Sequence, residues 1–524
     1  MFNHNKKNFF KFLILFTLLL LFTKIDYRLK SDLYCCNDDH DYYSHAVTTV
    51  IDFDFDYTNQ FVGNEKSRNY INNKIAPIGF YGSGLLGSPF LLIGEIIDRF
   101  TNLQNELGYS HKVLMYSFSS IFFLLLTFKI LIKIKKLLNF KLSNIYLLII
   151  FLGTGLPYYA FERYSMTHVY DTFAITLLIY FLANFYTNGA KKFALLIAIT
   201  NLLVLVIRWT NYQIILLPII IQKLFFTNSK YRLRNYKTFI SSSMFTLFVF
   251  LIHTKLIWGI YTINPRQIYN QHEFVSEFVN LFFQHPLTFI KENLFNFFTT
   301  LLTQEFGVIW FSPIIFIGFF SSLYIFVKNK FISIVLVLIY GYYFSLVNIW
   351  KSTGSAYGFR YTYPLITISI LLFLFIRSDK PSFKVIEVYL IIFSIFSLSS
   401  VLFFEGWEGT QLSLNAIVNS FGKYEKFVKP DYLTGLIIGF SKLEAYLKIF
   451  TTSFLGLIIF KLLVTIVSIS NLNIFLSKFG LPVDNSDFQS YLVQVVNLKS
   501  TTLLILIATF IFFTYLIKEE IWES

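Results

Sequence analysis

Residues 31–79 read SDLYCCNDDHDYYSHAVTTVIDFDFDYTNQFVGNEKSRNYINNKIAPIG. The stretch is acidic, polar and aromatic, and almost everything around it is apolar. Hydrophobic residues make up 55% of the 524-residue chain and charged residues only 14%. Repeated apolar runs of about 18 residues or more read as membrane-spanning helices. Lipid offers the backbone no hydrogen-bond partners, so the spans form a helical bundle; a barrel would show short alternating strands. A long polar island directly after the first apolar run (about residues 10–26) then needs a reason of its own.

The formal charge of +14 does not point to nucleic acid here. Lys and Arg collect in short loops between spans, where they set topology. The two cysteines, Cys35 and Cys36, are adjacent, a poor geometry for a relaxed disulfide, and no disulfide framework exists. The N-terminal MFNHNKKNFFKFLILFTLLLLFTK lacks a small-residue cleavage site and reads as a retained span rather than a removed signal. Lys6, Lys7 and Lys11 place its start in the cytosol and the polar island outside.

The Gly- and Pro-bearing run 80–97 (FYGSGLLGSPFLLIGEII) looks like a second span. If it crossed, the Lys-rich stretch 129–141 would land outside, against the positive-inside rule. It therefore reads as a helix lying on or dipping into the outer face. The spans expected after it are 112–132, 143–160, 165–186, 193–208, 210–227, 238–260, 308–327, 331–349, 361–376, 384–403, 446–468 and 500–517, about thirteen in all with the first. Outer loops fall at 27–111, 261–295 and 404–445, and 471–499 is cytosolic and amphipathic. The expected fold is an all-α polytopic membrane protein. Residues 1–404 form one region, and 405–524 form a C-terminal transmembrane region.

The polar clusters all fall on the outer side of this topology. Asp38 and Tyr42 are four residues apart and share a helical face, roughly continued by His45 and Thr49. A carboxylate there suits a general base that takes a proton from an attacking hydroxyl. Asp38 and Asp39 together also have the oxygen chemistry of a divalent-cation site, Mg or Mn; the plainer reading is a solvated acidic loop. Asp52, Asp54 and Asp56 alternate with apolar residues, which suggests an extended segment with one wet face and leaves calcium as a minor reading. Lys74, where the loop meets the membrane, fits a lipid phosphate or a snorkelling interfacial side chain. Glu162, Arg163 and His168 occupy a short outer turn, where a salt bridge and a structural histidine are the plain readings. Arg208 sits at the depth of a helix end, and a charge there is costly. Tyr357 and Arg360 complete the set.

These clusters, in this order, resemble the membrane-embedded glycosyltransferases of the GT-C fold, which include protein O-mannosyltransferases and the aminoarabinose transferase of lipid A. The bacterial dolichyl-phosphate-mannose-protein-mannosyltransferase-like branch is the most similar. Its early acidic pair matches Asp38-Asp39-His40-Asp41-Tyr42, with Asp39 in place of the usual Glu. A Lys-x-Pro-like stretch is similar to Lys74-Ile75-Ala76-Pro77, with two residues between Lys and Pro. A Tyr-Tyr-Ala tract followed by Ser-Met-Ser-His resembles Tyr158 to His168. Val-x-Arg-x-Thr-Asn matches Val206 to Asn211, Gly-x-x-x-x-Ser-Pro matches Gly307 to Pro313, and the last element is similar to Trp350 to Arg360.

The resemblance implies a GT-C-like bundle and transfer of a sugar from a polyprenyl-phosphate carrier to a glycan, lipid or protein acceptor at the outer face, with inversion. Asp38 would be the base, with Asp39 the other candidate. Lys74, Arg208 and Arg360 would hold the donor phosphate, and Tyr42, Arg163, His168 and Tyr357 would lie nearby. The expected setting is a bacterial inner membrane with the site facing the periplasm; the expected partners are the lipid-linked donor, the acceptor and membrane lipids, without nucleic acid. Two rival readings are a polysaccharide polymerase or ligase, whose large outer loop comes late, and a flippase or transporter, which would place charges mid-span and show paired half-repeats.

Overall fold

Helices carry nearly all of the ordered backbone. The computed structural model describes residues 37–61, 70–101, 111–233, 236–264, 284–302, 307–348, 358–379, 384–403, 453–478 and 500–522, with a few isolated positions besides. Helix α1 (Asn37–Val47) runs into a π-helical turn, Thr48–Asp52. Strands β1 (Tyr70–Ile71) and β2 (Lys74–Ile75) form an antiparallel hairpin. Its turn residues Asn72 and Asn73 both have positive φ, the conformation a two-residue hairpin turn requires and asparagine tolerates. There follow α2 (Gly82–Thr101), α3 (His111–Leu137), α4 (Asn144–Leu152), α5 (Leu156–Phe161), α6 (His168–Asn188), α7 (Lys191–Ile207), α8 (Leu217–Phe225) and α9 (Lys237–Trp258). The later chain holds α10 (Pro286–Leu302), α11 (Val308–Phe311), α12 (Pro313–Tyr324) and α13 (Lys330–Ser345). A 3-10 turn, Arg360–Leu365, opens into α14 (Ile366–Asp379). Then come α15 (Lys384–Phe403), α16 (Phe454–Ile466), α17 (Ile469–Ser477) and α18 (Ser500–Trp522).

Among the described residues, four segments are long and apolar enough to cross a membrane: α3, α6, α9 and Arg360–Ser378. Their surroundings differ. The apolar windows of α3 and α6 are 83% buried, whereas that of α9 is 17% buried. Ile240, Met244, Phe245, Leu247 and Phe248 of α9 are exposed. A helix apolar all round and this bare suits lipid rather than water. Helix α3 is the central post, packed on α2 and α6, and α6 packs in turn on α7.

Several expected spans are broken. The run 143–160 is split at Gly153 into α4 and α5. A Cβ at Gly153 would overlap Ser394 of α15, so the break is also a close helix crossing. Ser312 and Pro313 divide 308–327, and the start of 210–227 is a 3-10 segment, Trp209–Leu216. The loop expected at 261–295 ends in a helix, α10. Helix α17 occupies the start of the segment read as cytosolic. The span at 10–26, Cys35 and Cys36, the loop 404–445 and Tyr357 lie outside the described residues.

The run read as a surface helix is α2, unbroken despite Pro89. It is not among the four long apolar segments. Leu92, Ile93, Ile96 and Phe100 are exposed along it. Elsewhere its glycines let other elements in: a Cβ at Gly84 would stand 2.5 Å from the His45 Cβ and 2.7 Å from the Tyr42 carbonyl oxygen. That closeness docks α1 onto α2 and fixes where the acidic cluster sits.

The polar loop has a small core of its own. Tyr57, Phe61, Ile78 and Phe80 pack with Phe250, Ile257 and Trp258 of α9. The Trp258 indole donates to the Pro77 carbonyl (2.8 Å), and Asn72 Nδ2 donates to the Trp258 carbonyl (3.3 Å).

Candidate functional site

Helix α1 sends its two leading acids to different environments. The Asp39 carboxylate is sealed in the protein, with Arg163 Nε 2.7 Å and Nη2 2.6 Å from Oδ2. The Ser165 hydroxyl donates to its Oδ1. Burial pushes the Asp39 carboxyl up from its ordinary value, and the Arg163 guanidinium pulls it back. Asp38 keeps 43% of its side chain exposed, and its Oδ2 lies 3.6 Å from Arg360 Nη2. Position thus separates the two acids: Asp39 is held in a buried ion pair with Arg163, and Asp38 is the accessible carboxylate.

Arg360 begins a 3-10 turn that follows Gly358. Gly358 has φ of +60°, and a Cβ there would lie 2.7 Å from that of Phe311, so glycine is required twice over. The Arg360 guanidinium lies 5.3 Å from the centroid of the Tyr361 ring, and Nη2 donates to the Tyr361 hydroxyl at 3.3 Å. Arg208 shares that ring, 5.1 Å from the centroid.

Arg208 stands where α7 ends and the 3-10 segment begins, in extended backbone. Its Nη1 is 3.2 Å from His168 Nδ1 and 3.8 Å from Asp171 Oδ2. A guanidinium can only donate, so His168 Nδ1 is the acceptor and its proton sits on Nε2. The His168 ring packs against Tyr159 and Tyr363, with centroids 4.2 Å and 5.5 Å away. Asp171 Oδ1 accepts from Asn211 Nδ2 at 2.7 Å, and Asn211 Oδ1 accepts from the Tyr343 hydroxyl at 3.0 Å.

Tyr42 lies among these groups. Burial raises its phenol above the ordinary value, as does Asp38, while Arg208 and Arg360 oppose the rise. Its ring fills the space a side chain at Gly79 would need. Asp38, Tyr42, Arg163, His168, Arg208 and Arg360 therefore belong to one neighbourhood, built from α1, the turn after α5, the start of α6, the end of α7 and the turn before α14.

Lys74 is not brought into it. Its Nζ donates to the Leu256 carbonyl near the end of α9, at 2.9 Å, and it lies exposed. His45 faces inward. Its Nδ1 is 2.7 Å from the Tyr57 hydroxyl and its Nε2 2.8 Å from the Gly79 carbonyl. A carbonyl can only accept, so Nε2 carries the proton and Nδ1 accepts from Tyr57. Burial lowers the imidazole to about 4.

The residues present do not fit a divalent cation shared by Asp38 and Asp39. Both Asp39 oxygens are committed to Arg163 and Ser165. Among the described residues, no three His, Cys, Asp or Glu side chains gather as a metal site. The aspartates at 52, 54 and 56 do not form an extended wet face: Asp52 ends the π-helical turn and accepts from the Asn59 and Gln60 side chains, and Asp54 and Asp56 form turns. Asp54 Oδ1 accepts from the Asp56 amide at 3.1 Å, and Asp56 Oδ1 from the Thr58 amide at 3.0 Å, while Phe53 and Phe55 are exposed.

Sequence reasoning missed Asp171, Tyr343 and the anchoring roles of Ser165 and Asn211. The signal for Asp171 was present. It is the one acidic residue of α6, and a carboxylate inside an apolar helix is costly enough to demand a partner.

Chemically, the site sets one accessible carboxylate beside two guanidiniums that share a tyrosine ring, within a wall of tyrosines. That combination suits proton removal next to a bound anion. No protein-family model, curated protein or solved structure matches the chain.

Proposed function

We propose that this chain is a multi-pass membrane glycosyltransferase that moves a sugar from a polyprenyl-phosphate carrier to an acceptor hydroxyl at the outer membrane face. One observation carries the reading. Clusters spread over more than 300 residues of sequence, from Asp38 to Arg360, meet where an accessible carboxylate lies 3.6 Å from an arginine. A second arginine, Arg208, shares a tyrosine ring with the first.

In this reading Asp38 accepts the proton of the acceptor hydroxyl as its oxygen forms a bond to the anomeric carbon. The bond from that carbon to the phosphate oxygen breaks, and the phosphate leaves with the electron pair. Attack opposite the leaving group inverts the anomeric centre. Arg208 and Arg360 stabilise the charge that grows on the phosphate, as guanidiniums do in a site shielded from water. Lys74, tied to α9, is left out of this step. The broken apolar segments make up the remaining crossings of a GT-C-like bundle of about thirteen spans, with the site facing the periplasm of a bacterial inner membrane.

The test is mass spectrometry of envelope glycans and lipid-linked sugars in cells lacking the protein and in cells carrying wild type or Asp38→Asn. The expected result is loss of one sugar from a glycan, lipid or protein, accumulation of its polyprenyl-phosphate donor, and the same defect in Asp38→Asn. A deletion that changes neither glycans nor carrier lipids would overturn the reading and turn attention to transport.

A further inference from the structure

Asp171 is fully buried in α6, three residues after His168. Its Oδ1 accepts from Asn211, and its Oδ2 has no hydrogen bond and faces Arg208 Nη1 at 3.8 Å. A carboxylate closed off from water needs a counter-charge, and Arg208 supplies it. The carboxylate is also held in place. Asn211 Nδ2 reaches the Val204 carbonyl at 3.2 Å as well as Asp171, and the Tyr343 hydroxyl donates to Asn211 Oδ1. Helix α13 thus braces Asn211, Asn211 braces Asp171, and Asp171 faces Arg208.

The consequence falls on the other atoms of the guanidinium. His168 and Asp171 both engage Nη1. Among the described residues, Nε and Nη2 of Arg208 make no hydrogen bond. An arginine anchored through one nitrogen keeps its two-donor edge for a ligand, and that edge matches two oxygens of a phosphate. We infer that Asp171 is a positioning residue: held by Asn211 and Tyr343, it fixes the Arg208 guanidinium so that its Nε and Nη2 edge meets the phosphate of the carrier lipid. The inference rests on the proposed donor site and deepens it.

The experiment uses the full chain in lipid nanodiscs, with undecaprenyl phosphate as the probe and binding read by calorimetry and by the phosphorus NMR shift of the bound lipid. Asp171→Asn should weaken binding about tenfold, and Arg208→Ala at least as much. The double variant should bind no more weakly than Arg208→Ala alone, because Asp171 acts only through that side chain. Tyr343→Phe, which removes a single hydroxyl, should weaken binding about threefold and shift the bound phosphorus signal. It decides the matter if Asp171→Asn does not fold. Losses that add in the double variant, or wild-type binding by Asp171→Asn or by a sole surviving Tyr343→Phe, would overturn the positioning role while leaving the donor site standing. If wild type binds no undecaprenyl phosphate, the donor reading fails and this inference falls with it.

Discussion

Arg163 holds Asp39 across 124 positions of sequence, with Nε 2.7 Å and Nη2 2.6 Å from one carboxylate oxygen and both side chains almost sealed from solvent. Breaking a buried pair by removing one partner leaves the other charge stranded, at a cost of about 3–5 kcal/mol. Arg163→Ala and Asp39→Asn should each lower the melting temperature of the detergent-solubilised protein markedly. The joint replacement Arg163→Met with Asp39→Leu should recover part of the loss. Equal melting of Arg163→Ala and wild type would remove the anchoring role.

Asp38 should behave in the opposite way. Its contact with Arg360 is long and the side chain is half exposed, so the pair contributes under about 1 kcal/mol to folding. Asp38→Asn should melt close to wild type while losing about 10²- to 10⁴-fold in transfer, the range for a missing general base. Turnover of a polyprenyl-phosphate-linked sugar, measured beside the melting temperature, separates the two acids. Loss of both stability and activity in Asp38→Asn would mean that the two aspartates have been assigned the wrong way round.

Much of this site was legible because charge stands out against an apolar chain. Arg208 drew attention at a helix end, where a guanidinium is expensive, and Arg360 as the last of the polar clusters between apolar runs; the two share a ring. Asp171 was lost for the complementary reason: one carboxylate in a 21-residue helix barely disturbs an apolar window. The helix breaks at Gly153 and Ser312 were invisible because the turn residues lie inside apolar runs. Helix α10 was read as loop because Lys291, Glu292, Asn293 and Asn296 dilute its pattern. The alternating aspartates suggested an extended segment with one wet face, but Asp side chains compete locally for backbone amides, and here Asp54 and Asp56 make turns.

His45 gives the segment around α1 a pH dependence with a definite sign. Its pKa falls from 6.5 to about 4 on folding, by burial. Above about pH 6.5 both states are neutral and the histidine costs nothing. As pH drops from 6.5 towards 4 the unfolded chain takes up a proton that the folded chain refuses, and stability falls by about 3 kcal/mol. His45→Gln can still donate to the Gly79 carbonyl and accept from Tyr57, but it does not titrate. Melting followed between pH 7.5 and pH 4.5 should show a steeper decline for wild type than for the variant. Parallel curves would mean that His45 is solvated in solution.

Tyr361 presents one ring to two arginines, Arg208 and Arg360. Two guanidiniums this close to one ring repel each other, and the ring's negative face offsets part of that repulsion, by about 0.5–2 kcal/mol for each cation. Tyr361→Phe keeps the ring and loses only the hydroxyl that accepts from Arg360; it should bind undecaprenyl phosphate within about threefold of wild type. Tyr361→Ala removes both cation–ring contacts and should bind about tenfold more weakly or worse. The ordering of the two variants tests the ring itself, because both lack the hydroxyl. Equal affinity of Tyr361→Ala and Tyr361→Phe would show that the arginines are held by their carboxylates alone, Arg208 by Asp171 and Arg360 by Asp38.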